Sequence, residues 1–154
     1  MAYTADGVGY VDLQVNGFGG VDFNADDLSL DDMHAACQRL RDDGAAAFLP
    51  TLITGPLDLM TARLERIARY RAADPLIEEL VAGVHLEGPF ISPLPCYVGA
   101  HPPEAVRPAT PSDMQRLLDA AGGLTRIVTL APEHDADLAV TRMLAEQGIV
   151  VSAG

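Results

Sequence analysis

The sequence contains no lysine: all ten of its basic residues are arginine. Chemistry that needs a Schiff-base or phosphate-holding lysine is therefore excluded within it. Against those ten arginines stand 22 carboxylates, for a formal net charge of −12. A basic surface for nucleic acid, or for an anionic membrane, is excluded on the same ground. No run of about 18 apolar residues is present to span a bilayer. The opening MAYTADGVGY has no basic run before a hydrophobic stretch, so it does not read as a signal peptide. Cysteine is scarce too. Cys37 and Cys96 could pair only once, and their spacing matches no zinc or redox motif. They read as two free thiols of a reducing compartment, and the expected location is cytoplasmic. What remains is 154 residues, 49% of them hydrophobic, which suits one globular domain with a proper core and excludes a disordered chain.

Hydrophobic patterning gives a regular alternation of strands and helices. Strands are expected at 8–14, 45–54, 80–86, 126–130 and 149–152. A helix at 29–42 has Ser29 and Asp32 as a capping box and Gly44 as its stop, with Met33, Ala36, Cys37 and Leu40 inward. A second helix opens at Pro56 and turns Met60, Leu64, Ile67 and Ala68 inward. A third opens at Thr110, Pro111 and Asp113 with Met114, Leu117, Leu118 and Ala121 inward. A fourth, at 135–147, carries Val140, Met143 and Leu144 and ends at Gly148. Between the third strand and the third helix, ISPLPCYVGAHPPEAVRPA is rich in proline and reads as an irregular loop. Strands that are apolar on both faces and separated by single helices imply an α/β fold with parallel βα units. No GxGxxG follows the first strand, which disfavours a dinucleotide fold. A closed (β/α)₈ barrel needs about 250 residues. Five strands and four helices correspond to the first part of one.

In such folds the chemistry sits at the carboxyl ends of the strands. Polar residues there are Asp12, Gln14 and Asn16, then Thr51 and Thr54, then His85 and Glu87, then Thr129 and Glu133, then Ser152. Glu87 is the most informative, because it directly follows an apolar strand and precedes the sharp turn of Gly88 and Pro89. A carboxylate there is costly to desolvate without a cation or donors, and no arginine lies near it in sequence. A metal ion is a natural partner, and a solvated strand-end carboxylate is the alternative. His85, two residues earlier, shares its strand face and could form a metal pair or be a buried histidine bonded to backbone. His101 lies in the proline-rich loop, where binding and bystander roles are equally open. His34 reads as helix surface, and Glu133 as either a loop-fixing carboxylate or a ligand. Gly17, Gly19 and Gly20 would let backbone approach a ligand, a weak signal.

The segments VDLQVNGFGGVDFN, AAAFLPTLIT, GVHLEGPFIS with VGAHPP, VTLAPE and IVVSAG occur in that order over residues 7–154. In this they resemble the N-acetylglucosamine-6-phosphate deacetylase family of the amidohydrolase superfamily. HLEGPF followed by GAH is the most specific element. The resemblance implies the first part of a TIM-barrel amidohydrolase domain spanning 1–154. It implies that Glu87 is a ligand of one catalytic divalent ion, zinc or similar, and that Ala100 and His101 contact a phosphorylated amino sugar. Gln14 and Asn16 stand where the superfamily has paired histidine ligands, which resembles the single-metal subset. The loop before GAH often carries lysines in the family and here reads PLPCYV. The family's small β-sandwich is expected to fall outside this sequence. Its histidine ligands and its acid/base aspartate are expected beyond Gly154, so no catalytic acid/base is assigned within residues 1–154.

The implied reaction is metal-dependent hydrolysis of the acetamide of N-acetylglucosamine-6-phosphate to glucosamine-6-phosphate and acetate, in amino-sugar catabolism. The 154 residues alone are expected to be inactive, since catalytic zinc takes three protein ligands. The competing expectation is a non-catalytic α/β module that self-associates through open sheet edges, and a homo-oligomer is expected on that ground. A dihydroorotase-like amidohydrolase is a third reading, opposed by the lack of HxH after the first strand.

Overall fold

A computed structural model describes residues 9–154. Residues 1–8, which include most of the N-terminal segment read above for a signal peptide and Val8 at the start of the first expected strand, lie outside the described residues. Five parallel strands form one sheet: β1 (Tyr10–Val15), β4 (Ala45–Ile53), β5 (Val84–Glu87), β6 (Thr125–Leu130) and β7 (Val150–Ala153), neighbours in that order. Four helices expected from the sequence are present as α1 (Leu30–Asp42), α2 (Leu57–Ala73), α4 (Pro111–Ala120) and α5 (Ala139–Glu146).

Each helix has a local cause. Ser29 and Asp32 form the capping box of α1, with the Asp32 N–H donating to Ser29 Oγ at 3.1 Å, an interaction worth about 1 kcal/mol. Pro56 is the cap of α2 rather than its first residue. The Thr110 hydroxyl caps α4 by accepting from the Asp113 N–H at 3.2 Å. In α1 and α4 the residues read as inward-facing are buried, while in the last helix Val140 and Leu144 are buried and Met143 only partly.

Three elements depart from the sequence reading. A two-stranded hairpin, β2 (Gly17–Phe18) with β3 (Val21–Asp22), follows β1. A short helix, α3 (Pro75–Leu80), precedes the third strand and takes Leu80 from it, so that strand runs over Val84–Glu87 rather than 80–86 and there are five α-helices rather than four among the described residues. Its cause is Asp74, whose carboxylate accepts from the N–H groups of Leu76 and Ile77 at 2.9 and 3.1 Å, with Pro75 at the first helical position. The apolar residues Leu76, Ile77 and Leu80 are then a helix face packed against α1. The last helix begins at Ala139 and is preceded by two 3-10 turns, Pro132–His134 and Ala136–Leu138.

The sheet has two unlike faces. Leu52, Leu86, Val128 and Leu130 point to the helices and join Met60, Leu64, Ile67, Met114 and Leu117 in one buried cluster. A second cluster gathers α1 and α3 over Val15, Phe23 and Phe48, the two phenylalanine rings stacking with centroids 5.7 Å apart. Paired residues of a parallel sheet share a face, so the opposite face is layered. One layer is Thr51, His85, Ile127 and Val150; the next is Ile53, Glu87, Thr129 and Ser152. Such layers line a barrel interior. Here that face is open at its margins, where Val11, Leu13 and Val150 are 56%, 55% and 59% exposed.

Candidate active site

Glu87 is the last residue of β5 and so belongs to the strand rather than following it. The chain turns immediately at Gly88, whose φ is +91°. Only glycine serves there, because a Cβ at Gly88 would collide with Thr54 Oγ1. The Thr54 hydroxyl donates to the Glu87 carbonyl at 3.3 Å, and the Gly88 N–H donates to the Thr129 carbonyl at 3.0 Å. The backbone of the strand end is thereby fixed from both neighbouring strands.

Its carboxylate faces a cavity of about 170 Å³ lined by Gln14, Asn16, Ile53, Glu87, Ala100 and His101. Gln14 Nε2 donates to Glu87 Oε2 at 3.0 Å. His101 contributes a buried Nδ1 that has no hydrogen-bond partner among the described residues, an unusual condition that points to a missing ligand or water. The proline-rich loop is held beneath by Tyr97, Val98 and His101 N–H bonds to the carbonyls of Leu94 and Val98, while the Leu94 and Tyr97 side chains are exposed. Residues from β1, β4, β5 and the loop thus converge on one small hollow. Larger surface hollows, of about 550 and 670 Å³, lie against α2 and α4. Both arginines in the first of these are already paired, Arg116 with Asp58 at 2.6 Å and Arg107 with Asp113 at 3.0 Å.

His85 shares the face of Glu87 but is committed elsewhere. Its Nδ1 lies 3.1 Å from the Leu13 carbonyl and its Nε2 2.8 Å from Thr129 Oγ1. A carbonyl only accepts, so Nδ1 carries the proton and Nε2 accepts from the Thr129 hydroxyl. Burial lowers the imidazole pKa, against the opposing pull of the Leu13 carbonyl and the Glu87 charge, so the ring is neutral with both nitrogens engaged. Of the two readings open for His85, the buried histidine bonded to backbone is the one observed.

The remaining candidates separate cleanly. Thr51 Oγ1 accepts from the Val15 N–H at 3.0 Å, and Asp12 Oδ1 accepts from the Gln14 N–H at 3.0 Å; both fix β1 rather than line the cavity. Glu133 is exposed in the first 3-10 turn. His34 is half-exposed and pairs with Asp74 at 2.8 Å. Gly17, Gly19 and Gly20 serve the hairpin and do not border the cavity. Gly154 follows β7 and donates its N–H to the Leu130 carbonyl at 3.0 Å. A Cβ there would collide with the Thr129 methyl group, so the chain passes close against β6, but Gly154 does not border the cavity either. One residue that the sequence reading passed over is Asn24. Its Nδ2 donates to the Thr51 carbonyl and its Oδ1 accepts from the Ile53 N–H, each at 3.0 Å. The amide extends the β-ladder where β1 has ended, and it holds the part of β4 that carries Ile53 to the cavity.

Among the described residues, no group of three histidine, cysteine, aspartate or glutamate side chains lies close enough to hold a metal ion. The donor set fits a share of such a site: Glu87 has one oxygen tied to Gln14 and the other without a hydrogen-bond partner among these residues. None of the described helices is long and apolar enough to cross a membrane.

No protein-family model matches the chain. Curated relatives do. The Bacillus subtilis N-acetylglucosamine-6-phosphate deacetylase is 34% identical over 148 residues, which is 95% of this chain and 36% of that protein. The chain is homologous to N-acetylglucosamine-6-phosphate deacetylases over about a third of their length. The N-acetylgalactosamine-6-phosphate deacetylase of Escherichia coli O157:H7 is 36% identical over 149 residues, covering 94% of this chain and 37% of its own length. The structure of a variant Mycobacterium smegmatis deacetylase, in complex with N-acetyl-D-glucosamine-6-phosphate, superposes with a TM-score of 0.80 at 34% identity. That match covers 95% of this chain and 36% of the other. The five-stranded sheet and its helices correspond to the N-terminal part of the deacetylase structures.

Proposed function

We propose that this chain forms part of the active site of an amide hydrolase that removes the acetyl group of N-acetylglucosamine-6-phosphate. The observation that carries the reading is convergence. Gln14, Asn16, Glu87, Ala100 and His101, distant in sequence, border one cavity at the carboxyl end of the sheet, in a chain aligned over nearly its whole length with deacetylases.

In this reading Glu87 holds one divalent ion, zinc or similar, and Gln14 orients the Glu87 carboxylate. Ala100 and His101 bind the amino sugar, with the unpartnered His101 Nδ1 available to a sugar oxygen. The chemistry the ion supplies when bound is a water acidic enough to attack near neutral pH and a polarised amide carbonyl. A single carboxylate is too few ligands for a catalytic site, so the 154-residue chain alone is expected to be inactive. The remaining ligands and the acid/base would come from the part of the relatives' length that the chain does not span. The amino sugar taken, gluco or galacto, is carried by both kinds of relative, and we favour the gluco form.

A chimaera tests this directly. The chain replaces the matching third of the Bacillus subtilis relative, and acetate release from N-acetylglucosamine-6-phosphate is measured with zinc or cobalt. Activity that falls at least about 100-fold in Glu87→Ala is expected; a folded chimaera with no activity, or one indifferent to Glu87→Ala, would refute the assignment.

The second reading, a self-associating module, is favoured by one observation. β1 and β7 each have a single neighbour in the sheet, and Val11, Leu13 and Val150 are exposed beside those edges. Sedimentation of the isolated chain distinguishes a homo-oligomer, which we expect, from a monomer.

A further inference from the structure

β1 does not run straight along its partner. Asp12 pairs with Phe48 and Val15 with Pro50, so Leu13 and Gln14 together face the single residue Leu49. This is a β-bulge, a device that releases backbone groups and re-aims a side chain. The released groups are taken up by three side chains. The Gln14 N–H donates to Asp12 Oδ1 at 3.0 Å, the Val15 N–H donates to Thr51 Oγ1 at 3.0 Å, and the Leu13 carbonyl accepts from His85 Nδ1 at 3.1 Å. His85 is itself held by the Thr129 hydroxyl at 2.8 Å. With its backbone pinned on these sides, Gln14 reaches across β4 to β5 and donates to Glu87 Oε2 at 3.0 Å.

We propose that Gln14 is a positioning residue for Glu87, aimed by a bulge that Asp12 locks, and that it reserves Oε2 so that Oε1 is the oxygen presented to the cavity. Oε2 keeps a second lone pair, but the hydrogen bond from Gln14 weakens it as a donor, so Oε1, which has no hydrogen-bond partner among the described residues, is the stronger donor toward the cavity. The geometry stands on its own, but its use as a ligand-orienting contact rests on the function proposed above. Outer-shell partners of this kind typically alter metal affinity by roughly 10–100-fold.

The test uses the ¹⁵N-labelled 154-residue chain and follows the Gln14 side-chain amide by NMR. Its Nε2 protons are expected to exchange with solvent several-fold faster in Glu87→Ala and in Asp12→Ala. Asp12→Asn keeps an Oδ1 acceptor and is expected to restore the wild-type rate, a rescue that a general loss of stability would not give. In a second arm, manganese is titrated and broadening of the Ala100 and His101 amide signals is read. Gln14→Leu is expected to raise the half-broadening concentration about 10-fold or more. Exchange unchanged in Glu87→Ala, or Asp12→Asn no better than Asp12→Ala, overturns the proposal. Manganese broadening that is present in the wild type and undiminished in Gln14→Leu overturns it as well. If manganese broadens nothing in the wild type while the exchange pattern and its rescue hold, the positioning contact is upheld and the cation reading of Glu87 is what fails.

Discussion

Replacing Asn24 with alanine is the sharpest probe of how this sheet end is held. The amide side chain satisfies two main-chain groups of β4, the Thr51 carbonyl and the Ile53 N–H, each at 3.0 Å. Asn24 is 8% exposed, with buried Val15 and Phe23 close in sequence and in the same sheet region, so water has poor access once the amide is gone. A buried main-chain group left without a partner costs about 1–3 kcal/mol, and two such groups give roughly 4 kcal/mol. For a domain of this size, 1 kcal/mol moves the Tm by about 2–4 °C, so the variant is expected to melt roughly 8–16 °C below the wild type. Urea unfolding followed by circular dichroism measures the same loss, with an unchanged slope showing that the folded state is otherwise intact. Gln38→Ala, which removes an exposed side-chain bond to Asp42 within α1, is the control and is expected to stay within about 0.5 kcal/mol. An Asn24→Ala protein as stable as that control would show that water replaces the amide, and the ladder-extending role would be refuted.

Other outcomes follow from buried groups. His85 has its pKa lowered by burial, so as the pH falls below the ordinary histidine value the unfolded chain takes up a proton before the folded one does. Its contribution to stability is complete above the ordinary histidine pKa of about 6.5 and declines as the pH falls toward the folded value. His85→Gln should remove that part of the pH slope in urea midpoints, and an unaltered slope would contradict it. Asp135 is buried and accepts from the Val140 N–H, the Thr141 N–H and the Thr141 hydroxyl at 2.9, 2.7 and 2.7 Å. Asp135→Ala is expected to cost about 2–3 kcal/mol in denaturant melts, and a loss under about 1 kcal/mol would show that α5 does not depend on it. Cys96 is exposed, whereas the Cys37 thiol is pushed up to about 12 by burial and by the nearby Asp74 carboxylate. A disulfide exchange reagent should therefore find one thiol in the folded chain and two in guanidinium; two in the folded chain would refute the burial of Cys37.

The sheet was legible because each of its strands is an apolar run bounded by polar turns, and four helices were legible from caps and a 3.6-residue stripe. What failed has physical reasons. In the stretch around Pro75, apolar residues 76, 77 and 80 fit either a buried strand or a short helix, and periodicity over six residues does not separate them. The decision is made by Asp74, whose carboxylate caps α3 while also pairing with His34 of α1, a tertiary contact that no local pattern announces. The hairpin of β2 and β3 is only two residues a side, too short to produce alternation. Within the site, Glu87 could be singled out because a carboxylate at the end of an apolar strand is costly. Asn24 could not, since an asparagine after a glycine-rich turn is ordinary and its value depends on β4 lying beside it.

β1 shows most clearly why pattern alone stops short of a site. Strict alternation would place Asp12, Gln14 and Asn16 on one face. The bulge breaks that alternation: Asp12 keeps the register of Phe48, which packs toward the helices, while Gln14 and Asn16 border the cavity. The same irregularity that moves Gln14 also frees the Leu13 carbonyl for His85, so His85 is drawn into supporting β1 with both ring nitrogens engaged. The difference between two residues of one strand, His85 as a strut and Glu87 as the carboxylate that borders the cavity, is therefore set by a bulge in another strand 72 positions before His85. A substitution that straightened β1 would be expected to disturb both, which makes the Asp12 variants a test of the sheet's geometry and of the site's chemistry at once.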